Sequence, residues 1–283
     1  MEPKGEHILN GVLQPPFVTQ EQLDRLKDFD LCPEDIWVVT YPKSGTTWTQ
    51  NIIRLARNGG KDDGKKVSTS VPWLEGVDNY PEVNLECLPT PRAFKSHSSY
   101  EKMPCGLPHE SPGRYIYMAR NPKDVAVSYF HQYKSLTWGN PNISWDDYFE
   151  DFFAGRTLYG NYFDHVLSWW EHRNEENVLF MRYEDMKRDL WSSVDKITKF
   201  AGLNLDKETI DKVVSKSTFE SMKNDPLVNY SWSKLYHKDR VPFLRKGEVG
   251  DWKNYFTEEQ SRRVDEVYLT RCKPVGLELE FIL

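Results

Sequence analysis

The sequence predicts an α/β fold: a central, mostly parallel sheet with helices on both faces, forming one domain over residues 1–283. Three observations lead there. Short apolar runs rich in β-branched or aromatic residues recur at Ile36–Val39, Arg114–Ala119 and Asn177–Tyr183. Longer segments with apolar residues at helical spacing separate them, which implies βαβ units and parallel strands covered on both sides. Finally, neither an internal repeat nor a linker long enough to split the chain interrupts that alternation.

Taken in order, residues 1–34 read as a surface lead-in, with a Pro15-Pro16 pair and a capping box, Thr19-Gln20-Glu21-Gln22, for a short helix. Asp35–Tyr41 is a buried strand, and Trp48, Ile52, Leu55 and Ala56 mark one face of a helix that ends near Arg57. Asn58–Lys66 is polar and Gly-rich, a loop expected to be mobile. Residues 67–90 carry Pro72, Trp73, Pro81 and Pro89 without periodicity, which fits a pocket-lining segment or a packed surface loop equally. Arg92–His97 is a short strand, 104–113 a loop, and Arg114–Ala119 a strand running into Arg120-Asn121-Pro122, where Pro suits a helix start. The helix from Lys123 to Lys134 buries Val125, Ala126, Tyr129 and Phe130. Trp145–Phe153 and Tyr159–Arg173 read as aromatic-rich helices, Asn177–Tyr183 as a strand, and Asp185–Phe200 as one helix. Helices over Lys207–Val214 and Thr257–Thr270 follow, with residues 226–250 between them mostly loop.

Composition narrows the class. With 283 residues, 39% hydrophobic, the chain can bury a large core, and its net charge of -6 argues against a general nucleic-acid binder. Any anionic ligand must therefore be held by local charge rather than by the field of the whole molecule. Cys32, Cys87, Cys105 and Cys272 are far apart and form no C-x-x-C pair, so free thiols in a reducing compartment are expected, not disulfides or zinc. The charged start Met1–His7 has no apolar signal core, and no run approaches 18 apolar residues. The expectation is a soluble, cytoplasmic protein with no membrane and no nucleic-acid partner.

The chemistry concentrates first between strand and helix, at Pro42-Lys43-Ser44-Gly45-Thr46-Thr47-Trp48. A tight loop feeding a helix N-terminus leaves backbone N–H groups pointing outward, and the helix dipole favours an anion there. This P-loop-like element is not the Walker pattern, in which Lys follows the second Gly. Here Lys43 precedes the only Gly, so a kinase or ATPase reading loses its main support. The second concentration is at strand ends, where open α/β sheets bind ligands. Lys43, Lys95 with His97, Arg120 and Tyr183 follow four successive strands, and Ser128 lies two helical turns beyond Arg120. A lone His near a strand end is more often structural; the convergence of all these positions singles His97 out.

Five stretches, Tyr41-Pro-Lys-Ser-Gly-Thr-Thr-Trp48, Lys95-Ser-His97, Arg120-Asn-Pro-Lys-Asp-Val-Ala-Val-Ser128, Tyr183-Glu-Asp185 and Arg245-Lys-Gly247, resemble in order the motif series of the cytosolic sulfotransferases. The resemblance covers residues 35–253. It implies transfer of a sulfonate from 3′-phosphoadenosine 5′-phosphosulfate (PAPS) to a hydroxyl or amine, leaving adenosine 3′,5′-bisphosphate. By that resemblance Lys43, Ser44, Gly45, Thr46, Thr47 and Trp48 wrap the phosphosulfate, with Trp48 on adenine. Arg120 and Ser128 hold the 3′-phosphate with Arg245, Lys246 and Gly247, while Tyr183 and Ser217-Thr218-Phe219 surround the adenine. Ser217 stands where the family usually has Thr, which keeps the hydroxyl. His97 is the implied base, and Lys43, Lys95 and Ser128 complete the catalytic set; no metal is expected.

That chemistry is coherent. Sulfonate transfer is an in-line displacement at a tetrahedral centre, catalysed by positioning and charge stabilisation. An imidazole suits an acceptor that must lose a proton, and Lys43 with the loop amides can meet charge developing on the leaving oxygen. The acceptor pocket is expected from Phe17–Leu23, Val71–Cys87, Trp138–Phe149 and Tyr230–Phe243, whose aromatics suit a small phenol or aromatic amine alcohol, with a steroid-like alcohol second. The family's dimer element, Lys-x-x-x-Thr-Val-x-x-x-Glu, reads here Lys253 to Arg262 with Glu258 for Val and Arg262 for Glu. A monomer or weak homodimer is expected. A non-catalytic binding protein on the same fold is the competing reading, against which Lys43, His97, Arg120 and Ser128 all stand intact.

Overall fold

The computed structural model describes residues 6–237 and 239–283. Residues 1–5, which begin the charged N-terminus, and Lys238, inside the 230–243 segment, lie outside the described residues. Strands are β1 His7–Leu9, β2 Val12–Gln14, β3 Ile36–Thr40, β4 Ala93–Ser96, β5 Arg114–Ala119 and β6 Val178–Arg182. The helices are α1 Gln20–Leu26, α2 Thr46–Arg57, α3 Val67–Ser70, α4 Pro122–Ser135, α5 Trp145–Phe153, α6 Tyr162–Glu171, α7 Tyr183–Arg188, α8 Leu190–Phe200, α9 Lys207–Lys216, α10 Phe219–Asn224 and α11 Glu258–Val267.

β3 to β6 form one sheet in the order β4-β3-β5-β6, with every neighbour parallel. Successive side chains of a strand point to opposite faces, and both faces here are apolar. Trp37, Val39, Phe94, Tyr115 and Tyr117 face α4, α5 and α6, meeting Tyr129, Phe152 and Trp169 among others. Ile36, Val38, Ile116 and Met118 face α2, α8 and α9, meeting Ile52, Ile197 and Val213. This is the covered parallel sheet that the sequence predicts. Because β4 and β5 flank β3 on opposite sides, the chain reverses its direction of winding beside β3. That is the switch point where doubly wound sheets open a crevice.

Several boundaries differ from the sequence reading. The lead-in holds a hairpin, β1–β2, whose Asn10 and Gly11 both have positive φ (51° and 73°). Asn-Gly between apolar residues is a strong hairpin signal, and it went unread. Thr19 does accept from the Gln22 amide, but the Gln22 side chain is buried without a partner, so the capping box is only half made. Residues 67–90, read as irregular, contain α3 and 3-10 turns at Leu74–Asn79 and Leu85–Cys87. The Asn58–Lys66 loop is tied to α2, since buried Arg54 reaches Asp62, Asp63 and the Lys65 carbonyl at 2.9–3.0 Å.

The helix expected from Tyr159 starts at Tyr162, because Asn161 caps it and Tyr159 sits in a left-handed turn. Asp185–Phe200 is two helices: Asp189 leaves the helical region and caps α8 through the Ser192 amide. The last helix ends at Val267 and widens into a π turn over Tyr268–Cys272. α10 was not anticipated; Thr218 caps it. No described helix is long and apolar enough to cross a membrane, and all four cysteines are free.

Candidate active site

At the switch point the β3–α2 loop turns sharply. Lys43 takes a left-handed φ of 68°, and Gly45 caps α2 at φ 112°. A Cβ on Gly45 would lie 3.1 Å from Tyr183 Cδ2 and 3.3 Å from Met118 Cγ, so backbone conformation and space both select glycine. Among the described residues no side chain caps α2, and no acid occupies its first turn. Its N-terminal amides are therefore free to meet an anion. Among the described residues, the hydroxyl of fully buried Ser44 and Trp48 Nε1 have no hydrogen-bond partner.

Cations surround this loop. Arg120, 7% exposed, donates to the carbonyls of Lys43 at 3.3 Å and Glu248 at 2.8 Å, stacks over the Tyr183 ring at 4.3 Å and keeps Nε unpartnered. Arg245 and Lys246 both reach Asp251, at 2.5 Å each. Burial would raise the Asp251 carboxyl, but Lys246, Arg245 and Asn254 overcome it and hold it down to about 2. Burial, then Arg120, Arg245 and Lys95, push Lys43 down to about 7. Its ammonium lies 3.9 Å from the Phe243 ring centre. Burial likewise pushes Lys95 down to about 8, against the pull of Glu75. These cations outnumber the carboxylates set among them, Asp124 and Asp251, and a bound polyanion would offset their mutual repulsion. Unpartnered donors, uncapped amides and crowded cations all fit the phosphates and sulfate of PAPS.

His97, just past β4, closes the other side. Its Nδ1 lies 2.8 Å from the Thr40 carbonyl, which can only accept, so Nδ1 carries the proton and Nε2 is left with its lone pair. Behind it, His165 Nε2 donates to the His97 carbonyl at 2.9 Å while Tyr117 OH pairs with His165 Nδ1 at 2.9 Å. Burial, then Lys95, hold the His97 imidazole well below its usual range, so it rests neutral. A neutral, oriented imidazole beside buried ammonium groups can take a proton.

One cleft joins these groups. It is lined by Lys43, Gly45, Thr46, Thr47, Trp48, Lys95, His97, Arg120, Ser128, Tyr183, Phe219, Arg245, Lys246 and Gly247. Lys95 lies within β4 rather than after it, paired to Val38. Ser44, Ser217 and Thr218 do not line the cleft: Ser217 is buried under Asn51, and Thr218 caps α10. Gly247 (φ 67°) lies flat on Phe219, where a Cβ would come within 2.3 Å of the ring. The aromatic end of the cleft takes Phe17, Trp73, Tyr80, Trp138, Tyr230 and Phe243 from the four expected loops. It also takes Pro15, Gln132, Leu158 and Tyr159, which sequence reasoning missed. Tyr159, its ring 5.2 Å from His97, was hidden by being assigned to a helix; Gly160-Asn161 was the available signal that the helix starts later. Apart from the cleft, His109 meets His172 and Glu175, which lie three residues apart on one segment. His172 pairs with Glu175 at 2.5 Å.

A polyanion cradle at a strand-to-helix loop, joined past a neutral imidazole to an aromatic chamber, defines an α/β enzyme that moves a group from a phosphorylated donor to an apolar acceptor. The sulfotransferase-domain family model matches residues 33–276. Sulfotransferase 1B1 of Mus musculus is 40% identical over 268 residues, 91% of this chain and 88% of that protein. The amine sulfotransferase of Oryctolagus cuniculus is 39% identical over 268 residues, 92% and 88% of the two chains. Among solved structures, mouse sulfotransferase SULT7A1 complexed with PAP aligns at a TM-score of 0.77 and 34% identity, covering 94% of this chain and 93% of that one. Retinol dehydratase in complex with androsterone and inactive cofactor PAP aligns at 0.81 and 27%, covering 95% and 89%. The chain belongs to the sulfotransferase family and is a PAPS-dependent sulfotransferase.

Proposed function

We propose that the chain, as a single sulfotransferase domain, transfers the sulfonate of PAPS to the hydroxyl, or amine, of a small, flat, largely aromatic acceptor, with His97 as general base. The observation that carries this is the Nδ1–H to Thr40 carbonyl bond, which leaves His97 Nε2 as an acceptor in a cleft shared with Lys43, Lys95 and Arg120. Bound PAPS supplies an electrophilic sulfonate on a good leaving group. Lys43 and the amides of Gly45 to Thr47 hold the 5′ end at the α2 N-terminus. Arg120 and Ser128, with Arg245, Lys246 and Gly247, hold the 3′-phosphate; Trp48, Tyr183 and Phe219 flank the adenine. His97 takes the acceptor proton at Nε2 while Thr40 keeps the ring from turning. Lys95 offers a second positive charge on the acceptor side. Tyr159 and Trp73, packed on His97 at 5.2 and 5.8 Å, keep water from the imidazole.

The amine sulfotransferase among the relatives and the androsterone bound to retinol dehydratase make amines and steroid alcohols fair candidates beside phenols. Arg262, the departure in the dimer element, pairs with Glu259 at 2.7 Å and Glu266 at 3.3 Å on its own helix, which supports a monomer or weak homodimer. The four free thiols suit the cytoplasm. Two assays test the reading. Adenosine 3′,5′-bisphosphate should raise the melting temperature where ATP with Mg²⁺ does not. Labelled PAPS should then transfer its sulfonate to a member of a panel of phenols, amines and steroids. A protein that ignores the bisphosphate ends the proposal.

A further inference from the structure

We infer that Glu75, outside every motif named above, is the positioning residue for the Lys95 and His97 pair; this rests on the proposed role of His97. Glu75 sits in the 3-10 turn Leu74–Asn79 and is 3% exposed. Its Oε1 accepts from Ser96 Oγ and, at 3.1 Å, from Ser98 Oγ, while the Ser98 amide donates to Ser96 Oγ at 3.0 Å. One carboxylate oxygen thus grips the residues on both sides of His97, where β4 ends. The same segment is stitched to β4 one step earlier, through the Lys95 amide and the Pro72 carbonyl at 2.8 Å, and Lys95 Nζ lies 4.8 Å from the Trp73 ring centre.

Glu75 Oε2 is buried with no hydrogen-bond partner among the described residues. A purely structural clamp gains nothing from the charge, which is costly to bury beside an unpartnered oxygen. The charge does have an object. Glu75 is the anion that pulls the Lys95 ammonium upward. Burial raises the Glu75 carboxyl above its usual range, and Ser96, its own backbone, Ser98 and Lys95 offset that only in part. The other groups facing it are His97, Tyr159 and Lys102, which share a small cavity with it, and the Cys105 thiol. Glu75 therefore fixes the backbone that aims His97 and keeps Lys95 protonated.

Two substitutions separate these effects. Glu75→Gln keeps an oxygen for the serines and removes the charge. It should bind adenosine 3′,5′-bisphosphate within about twofold of wild type, and lower kcat about tenfold near neutral pH. The alkaline limb of its kcat–pH profile should move to lower pH by about one unit, as Lys95 loses its proton sooner. Glu75→Ala removes the grip as well and should lower kcat about a hundredfold with KM for PAPS within about threefold. If the alanine variant does not fold, Ser98→Ala, which loses one donor, should lower kcat with bisphosphate affinity kept. A Gln variant with wild-type kcat and an unmoved alkaline limb would overturn the inference. So would one that loses bisphosphate binding and thermal stability in step with activity. Failure of the underlying reading looks different: His97→Ala would then turn over like wild type, whatever Glu75 does.

Discussion

At the scale of single residues, the cleft works by crowding positive charges that are partly withdrawn from water. Lys43 is the clearest case: burial and its cationic neighbours hold it to about 7, so at neutral pH the free enzyme carries it only partly protonated. A bound polyanion restores the charge by raising that value again. Bisphosphate binding should therefore take up protons from about pH 7 upward, until the bound-state value is passed. Well below 7 the lysine is already charged and the uptake vanishes; as pH rises through its bound-state value the affinity falls. Calorimetry in two buffers of different ionisation enthalpy reads this directly, and equal apparent enthalpies at pH 8 would contradict it. Gly247 makes a second case through shape. Gly247→Ala would place its Cβ 2.3 Å from Phe219 Cδ2 and keep a positive φ, so Phe219 must shift and bisphosphate affinity should fall about tenfold or more while the core stays folded.

At the scale of elements, what positions the site is a set of buried joints. The Asn121 side chain caps α4 by accepting from the Asp124 amide, and Glu184 at the head of α7 accepts from the Asn121 amide at 2.9 Å. Arg120 is thereby held at the end of β5, over Tyr183 at the head of α7. Trp37 anchors the sheet itself, fully buried between Phe94 and Tyr115. Trp37→Ala should cost about 3–5 kcal/mol, read as a lowered denaturant midpoint with an unchanged slope. The central strands and α4 to α6 were legible because each is a long apolar period bounded by a cap or a turn. Arg114–Ala119 and Trp145–Phe153 match their sequence bounds residue for residue. The β1–β2 hairpin escaped because three-residue strands carry almost no period, leaving only the Asn-Gly turn to announce them. The break at Asp189 escaped because residues on both sides keep helical spacing, and one side chain satisfied by the Ser192 amide decides the matter. The site was legible where motifs sit at strand ends. It was not legible where the fold folds back: Gln132, Tyr159 and Glu75 reach the cleft or its catalytic pair through tertiary contacts that no spacing records.

At the scale of the whole molecule, a chain of net charge -6 sets Lys43, Lys95, Arg120, Arg245 and Lys246 around one crevice. Attraction for a polyanion is therefore local, set by Lys43, Lys95, Arg120, Arg245 and Lys246 rather than by long-range steering. The crevice lies where β3 stands between β4 and β5, so the donor loop and the imidazole come from neighbouring strands and face each other by topology alone. Relatives spanning nine-tenths of this chain share that plan; the acceptor chamber, built from loops, is where this chain can differ. In the proposed reaction one face of the crevice grips the sulfonate donor while His97 receives the acceptor's proton. The most direct measurement compares wild type with His97→Ala in single-turnover transfer from labelled PAPS, alongside bisphosphate affinity. The variant should bind the bisphosphate within about twofold and transfer at least about a hundredfold more slowly. Undiminished transfer by His97→Ala, or a loss confined to bisphosphate affinity, would contradict the account.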